Sequence, residues 1–327
     1  MENYYKENDG MFWQPPKNDK DYIWRYDGNP LFDLENLEDV WHVCNSAVAM
    51  HKGKYIGVFR IEDKTGCPML VVGRSPDGVK WDLESEEIKL INEDGTEFEK
   101  YYAYDPRLIR IEDKFYVVFC ADVYDDAPCI FIAETTDFKT FKMLPQGFLP
   151  MNRNGVLFPE KINGKYYMLN RPCADGDSNY GKIFISESPD LLYWGNHKLL
   201  SANRDKKTNY WERKKIGAGP APIKTKEGWL LIYHGVQSTV SDYTYSFGVM
   251  LLDLDDPSKV LYKAKRFILT PQKPYERSGF CDNVCFPCTA LCDSKGRVSI
   301  YYGVVDENMA VAFTTVDKLL EFVKKYD

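Results

Sequence analysis

Lys52-Gly-Lys-Tyr-Ile-Gly-Val-Phe59 joins a polar turn to a short aromatic and β-branched run, and the same phrase returns four more times. It reads EDKFYVVF from Glu112, NGKYYMLN from Asn163, KEGWLLIY from Lys226 and KGRVSIYY from Lys295. Runs rich in Tyr, Phe, Val and Ile, opened by Gly- or Asp-bearing turns, are half-buried strands entered through hairpins. Each copy is therefore expected in the middle of a small antiparallel sheet. The copies stand roughly 50 to 70 residues apart, and internal similarity at such a period marks a repeat architecture. Strands recur rather than helices, which selects a propeller.

A second element follows the first four phrases: Ser75-Pro-Asp-Gly-Val-Lys-Trp81, Thr136-Asp-Phe-Lys-Thr-Phe141, Ser188-Pro-Asp-Leu-Leu-Tyr-Trp194 and Asp253-Leu-Asp-Asp-Pro-Ser-Lys-Val260. Ser, Pro and Asp preset a turn, and the aromatic or aliphatic residue after it can anchor an outer strand. The fifth phrase runs instead into Thr314-Thr-Val-Asp-Lys318. Five units of about four strands each predict an all-β, five-bladed β-propeller. No Pro/Gly/Ser linker divides the 327 residues, so one domain is expected over 1–327, with 1–40 as an N-terminal extension. Helical periodicity over 316–326, with Leu319, Leu320 and Val323 on one face, predicts a C-terminal helix that closes the fold or meets another copy.

The composition, 44% hydrophobic and 15% aromatic, suffices for a large core, yet no apolar run approaches the length that crosses a bilayer. The N-terminal residues lack the apolar core of a secretory signal, which leads to the expectation of a cytoplasmic protein with no membrane partner. A net charge of -7 and the lack of any Lys/Arg-rich run argue against nucleic acid as a partner. Nine cysteines, an odd number, suit reduced thiols better than a disulfide framework. Among Cys281, Cys285, Cys288 and Cys292, the pair in Cys285-Phe-Pro-Cys288 has the short spacing of a zinc half-site. Against that, side chains alternate along a strand, which would point positions 285 and 288 to opposite faces, so no metal is expected.

Propellers bind ligands around the central channel, so polar residues at equivalent places in the repeats are the candidates. Arg60, Asp122, Arg171, His234 and Asp306 sit at or just after the end of each phrase strand. Asn45-Ser46, Tyr104-Asp-Pro-Arg107, Arg153-Asn154 and Lys215-Ile-Gly-Ala-Gly219 sit before or at the start of the strand preceding it. Charged groups at the edges of apolar strands are costly unless solvated or paired, and several converging on one channel would make a polar pocket. Singly, each also reads as a solvated loop residue, a turn residue (Asp105) or a buried histidine (His234).

As a set, Tyr104-Asp-Pro-Arg107, Met151-Asn-Arg-Asn-Gly155, Leu169-Asn-Arg-Pro172, Lys215-Ile-Gly-Ala-Gly-Pro220, Tyr233-His-Gly235 and Asp253-Leu-Asp-Asp-Pro257 resemble glycoside hydrolase family 130, the β-mannoside phosphorylases and related β-mannosidases. The resemblance runs from Trp24-Arg-Tyr through Tyr301-Tyr-Gly. It implies inverting phosphorolysis of β-1,4-mannosides, either mannooligosaccharides or mannosyl-N-acetylglucosamine, with release of α-mannose 1-phosphate. By the same resemblance Asp105 is the catalytic acid, acting through the 3-hydroxyl of the transferred mannose. Arg153, Arg171, Lys215, His234 and Tyr245 would hold phosphate. Asn45, Ser46, Arg60, Tyr104 and Asp306 would line the mannose pocket, and Asp63 follows Arg60 on a loop that could meet the acceptor.

Inversion by water needs an acid and a carboxylate base, whereas phosphate is already an anionic nucleophile and needs cationic donors instead. Arg153, Arg171 and Lys215 therefore favour phosphorolysis. A β-mannosidase acting on the same linkage is the alternative, and a non-catalytic sugar-binding propeller is the alternative of another class. The expected partners are a β-mannoside oligosaccharide and inorganic phosphate, with no cofactor. The resemblance also implies a homo-oligomer, a hexamer among the states to expect.

Overall fold

In the computed structural model, which describes residues 5–123, 127–173, 181–201, 210–239 and 242–327, every phrase is the second strand of a sheet and pairs antiparallel with both of its neighbours. Those strands are Lys54–Asp63, Lys114–Val123, Tyr166–Pro172, Trp229–Ser238 and Arg297–Val304. The turns that open them supply the reason. Lys52 and Gly53 have φ of 51° and 74°, and Asn163 and Gly164 have 50° and 79°. Positive φ at both central residues is what a two-residue hairpin with matching twist demands.

The first strand of each sheet lies toward the centre: Val40–His51, Tyr102–Ile111, Asn152–Leu157, Lys215–Ala218 and Cys285–Cys292. These define blades 1 to 5. The Ser/Pro/Asp elements turn the chain toward the outer strand by one repeated device. Asp77 Oδ1 accepts hydrogen bonds from the Val79 and Lys80 amides, Asp137 from Lys139 and Thr140, Asp190 from Leu192 and Tyr193, and Asp253 from Asp255 and Asp256. Outer strands Asp82–Glu87, Phe141–Met143, Gly195–Ser201 and Val260–Lys263 follow.

Blade 5 obtains its outer strand from the other end of the chain. Trp24–Arg25 pairs antiparallel with Asn308–Thr315, so residues read from sequence as an extension complete the fifth sheet and close the ring. The core lies between blades, where neighbouring sheets bury facing apolar side chains. Val58 and Val72 meet Phe119 and Phe131 between blades 1 and 2, and Leu169 and Ile185 meet Trp229 and Tyr233 between blades 3 and 4. The C-terminal helix, Val316–Lys325, is capped by Thr315, whose side chain accepts from the Lys318 amide. It buries Leu319, Phe322 and Val323 on the core between blades 4 and 5, with Leu320 half-buried beside them.

All nine cysteines are free thiols. Cys285 packs in the core between blades 4 and 5, whereas Cys288 belongs to a separate cluster with Val284 and Phe286. No described residues form a group of three or more His, Cys, Asp or Glu suited to a metal ion, and no described helix is long and apolar enough to cross a membrane.

Candidate active site

The first strands of blades 1, 2 and 3 lose register at one level, between Cys44 and Ala47, Tyr104 and Arg107, and Arg153 and Val156. Each break holds one residue in the left-handed region: Asn45 at φ 41°, Asp105 at 51° and Asn154 at 53°. Asn and Asp tolerate that conformation better than other side chains, and a bulge re-aims the residue it holds. The three side chains consequently turn into the channel, inside the strand rather than at its start as the sequence suggested. They line one cavity of about 320 Å³.

One wall of this cavity is acidic. Asn45 Nδ2 donates to Asp105 Oδ1 at 3.0 Å and to Asp306 Oδ1 at 3.1 Å, joining carboxylates from blades 2 and 5. Arg60 approaches Asp105 at 3.4 Å and Glu62 at 3.0 Å, and Glu62 in turn meets His42 at 3.2 Å. Burial pushes the Asp306 carboxyl upward, Arg60 opposes that, and the nearby Asp105 adds to it. Gly303 is required here, since a Cβ at that position would collide with the Asn45 amide oxygen.

The other wall is cationic. Arg153, Arg171 and Lys215 line it, and among the described residues no carboxylate lies within ion-pair distance of any of the three. Arg153 Nε and Arg171 Nε are buried with no hydrogen-bond partner among the described residues. Burial, then the charges of Arg171 and Arg153, depress the Lys215 ammonium to about 8. Its Nζ lies 5.3 Å and 5.5 Å from the ring centres of Tyr243 and Tyr245. Burial holds the Tyr245 phenol neutral, pushed up to about 12. Unpaired buried cations are costly, so an anion is the ligand that this wall fits.

Nine of the twelve residues given a role from sequence meet here: Asn45, Arg60, Tyr104, Asp105, Arg153, Arg171, Lys215, Tyr245 and Asp306. Three do not line the cavity. His234 is wholly buried behind Arg171, its Nε2 3.0 Å from Arg171 Nη1, and burial with the charges of Arg171 and Arg107 keeps the ring neutral. Such a ring accepts from Arg171 and orients it instead of facing the cavity. Ser46 staples the blade 1 bulge, its hydroxyl donating to Cys44 O at 2.9 Å and accepting from the Arg60 amide at 3.1 Å. Asp63 closes an exposed turn through Thr65 and Cys67.

Asn154, a candidate by repeat position that received no role, also lines the cavity, as do Cys281, considered only as a zinc ligand, and Tyr102, Asp242 and Asp282, which the sequence did not mark. Asn154 had a signal, because it repeats the place of Asn45 and Asp105 in its blade. Tyr102 and Tyr104 both donate to Asp122, at 2.9 and 2.8 Å, which explains the Asp at the end of the second phrase. Tyr243 and Phe286 also line the cavity, whereas Trp211 is buried against Tyr233 in blade 4.

Residues 17–325 match the model of the family described as β-1,4-mannooligosaccharide phosphorylase, Glyco_hydro_130. The chain belongs to glycoside hydrolase family 130. It is 46% identical over 322 residues to the β-1,4-mannooligosaccharide phosphorylase of Ruminococcus albus, covering 96% of this chain and 95% of that protein. The 4-O-β-D-mannosyl-D-glucose phosphorylase of Bacteroides fragilis is 30% identical, covering 92% and 80%. Among solved structures, the β-1,2-mannobiose phosphorylase of Listeria innocua, bound to β-1,2-mannobiose, superposes with a TM-score of 0.81 at 28% identity over 93% of this chain and 99% of that one.

Proposed function

We propose that this family 130 chain is an inverting β-1,4-mannooligosaccharide phosphorylase that cleaves a terminal β-mannoside with phosphate and releases α-mannose 1-phosphate. The observation that carries the reading is the wall of Arg153, Arg171 and Lys215, with buried guanidinium N–H groups that lack partners among the described residues. That wall faces the Asp105, Asn45 and Asp306 cluster across one cavity. Identity of 46% with the Ruminococcus albus enzyme supports the β-1,4 linkage and the mannooligosaccharide substrate.

In this mechanism the mannose to be transferred sits against Asn45, Asp105 and Asp306, with Tyr104 beneath it. Phosphate is held by Arg153, Arg171, Lys215 and the neutral Tyr245 phenol on the opposite face. His234 contributes through Arg171 instead of touching phosphate. A phosphate oxygen forms its bond to the anomeric carbon as the bond to the leaving O4 breaks. Asp105 gives its proton to the mannose 3-hydroxyl, which passes its own proton to O4, so the departing sugar leaves neutral and the anomeric centre inverts. The cationic wall neutralises phosphate and orients it, and such positioning supplies a large share of the rate. A water-using enzyme would need a carboxylate base on this wall.

The reaction requires no metal or organic cofactor, and the protein acts as a cytoplasmic homo-oligomer in this reading. The reverse reaction tests it. With α-mannose 1-phosphate as donor, mannose and short β-1,4-mannooligosaccharides should be elongated faster than glucose or N-acetylglucosamine, with phosphate released in step. Preference for N-acetylglucosamine would reassign the acceptor, and no synthesis with any of them would overturn the proposal.

A further inference from the structure

Arg107 lies two residues beyond Asp105 on the same strand, is 2% exposed and does not line the cavity. Its bonds offset part of the cost of burying the charge, although Nη2 has no hydrogen-bond partner among the described residues. The break in register between Tyr104 and Arg107 takes the Asp105 and Pro106 carbonyls out of the strand ladder. Arg107 Nη1 donates to both of them, at 3.1 Å each, while Nε donates to Gly219 O at 2.9 Å. Gly219 directly follows the strand that begins with Lys215. The guanidinium also lies 5.2 Å from the ring centre of Phe286, which packs with its ring centre 4.6 Å from that of His234, the ring that orients Arg171.

We infer that Arg107 is a positioning residue, which clamps the blade 2 bulge so that the Asp105 carboxyl is aimed at the transferred sugar and locks that bulge to the cationic wall. The inference rests on the phosphorolytic reading with Asp105 as acid. A left-handed Asp in a bulge has several accessible orientations, and the rigid guanidinium keeps Nη1 on the Asp105 and Pro106 carbonyls while Nε holds the Gly219 carbonyl, a span that a single lysine ammonium on a flexible stem does not cover. Displacing a catalytic group by about 1 Å costs on the order of 100-fold in rate.

Leaving-group dependence separates aiming from mere structure. Arg107→Lys should lose on the order of 100-fold in kcat toward β-1,4-mannobiose, with the KM for phosphate within about 3-fold of wild type. Toward 2,4-dinitrophenyl β-mannoside, whose phenolate leaves without a proton, the loss should stay below about 5-fold. Pro106→Gly, which loosens the same carbonyl pair while retaining Arg107, should show the same asymmetry and decides the matter if Arg107→Lys does not fold. Equal losses on both substrates, or no loss on either, would overturn the inference while leaving phosphorolysis intact. Absence of phosphorolysis in the wild type would instead overturn the reading on which it rests.

Discussion

Lys215→Met should weaken phosphate binding and, in the absence of phosphate, stabilise the protein. The ammonium is half-buried beside Arg171 and Arg153, and its pKa falls from 10.5 to about 8. That depression corresponds to roughly 3 kcal/mol of unfavourable charging in the folded state. The sign follows from proton counting. Between about pH 8 and 10.5 the unfolded chain binds more protons at this residue than the folded one, so folding stability rises with pH across that window. Below about pH 8 the penalty is present in full. Methionine keeps the volume of the stem and discards the charge, so the melting temperature of the phosphate-free variant at pH 7 should exceed that of wild type by a few degrees, and the gap should narrow above pH 8. Losing one charge-assisted hydrogen bond of about 1.5–3 kcal/mol should raise the phosphate KM roughly 10- to 150-fold. Differential scanning calorimetry with phosphate-dependent initial rates reads both effects. An unchanged phosphate KM, or a lower melting temperature without phosphate, would refute the reasoning.

Asp105→Asn should lower phosphorolysis of mannobiose by roughly 100- to 10,000-fold while mannobiose still binds by calorimetric titration, because the amide holds the same place but has no proton to give. Gly303→Ala should cut kcat/KM at least about 10-fold by displacing the Asn45 amide that joins Asp105 to Asp306, and a crystal structure should show that side chain moved.

The fold was legible because its decisive signals are local. Turn chemistry at Lys52-Gly53 or Asn163-Gly164 and the Asp77, Asp137, Asp190 and Asp253 caps act within a few residues. Trp24–Arg25 was not legible as a strand, since its partner lies at the far end of the chain and two residues carry no period. Much of the site could be read because its charged groups recur just past the apolar run of each second strand, as Arg60 and Arg171 do. The bulges escaped detection, because an extra residue is defined only against the partner strand, and they alone decide that Asn45, Asp105 and Asn154 face the channel. Depth was also hidden. His234 occupies the place in its repeat that Arg171 occupies in the preceding one, yet it lies behind that guanidinium, and only packing against Phe286 reveals it. Asp242, Cys281 and Asp282 come from segments between strands that share no repeat position.

The central claim is that the cationic wall receives phosphate as the nucleophile. Proton NMR of β-1,4-mannobiose with the purified protein tests it most directly, with and without phosphate. Mannose and α-mannose 1-phosphate should appear in equal amounts when phosphate is present, with no cleavage when it is absent. Free mannose as the sole product, formed at the same rate without phosphate, would contradict it.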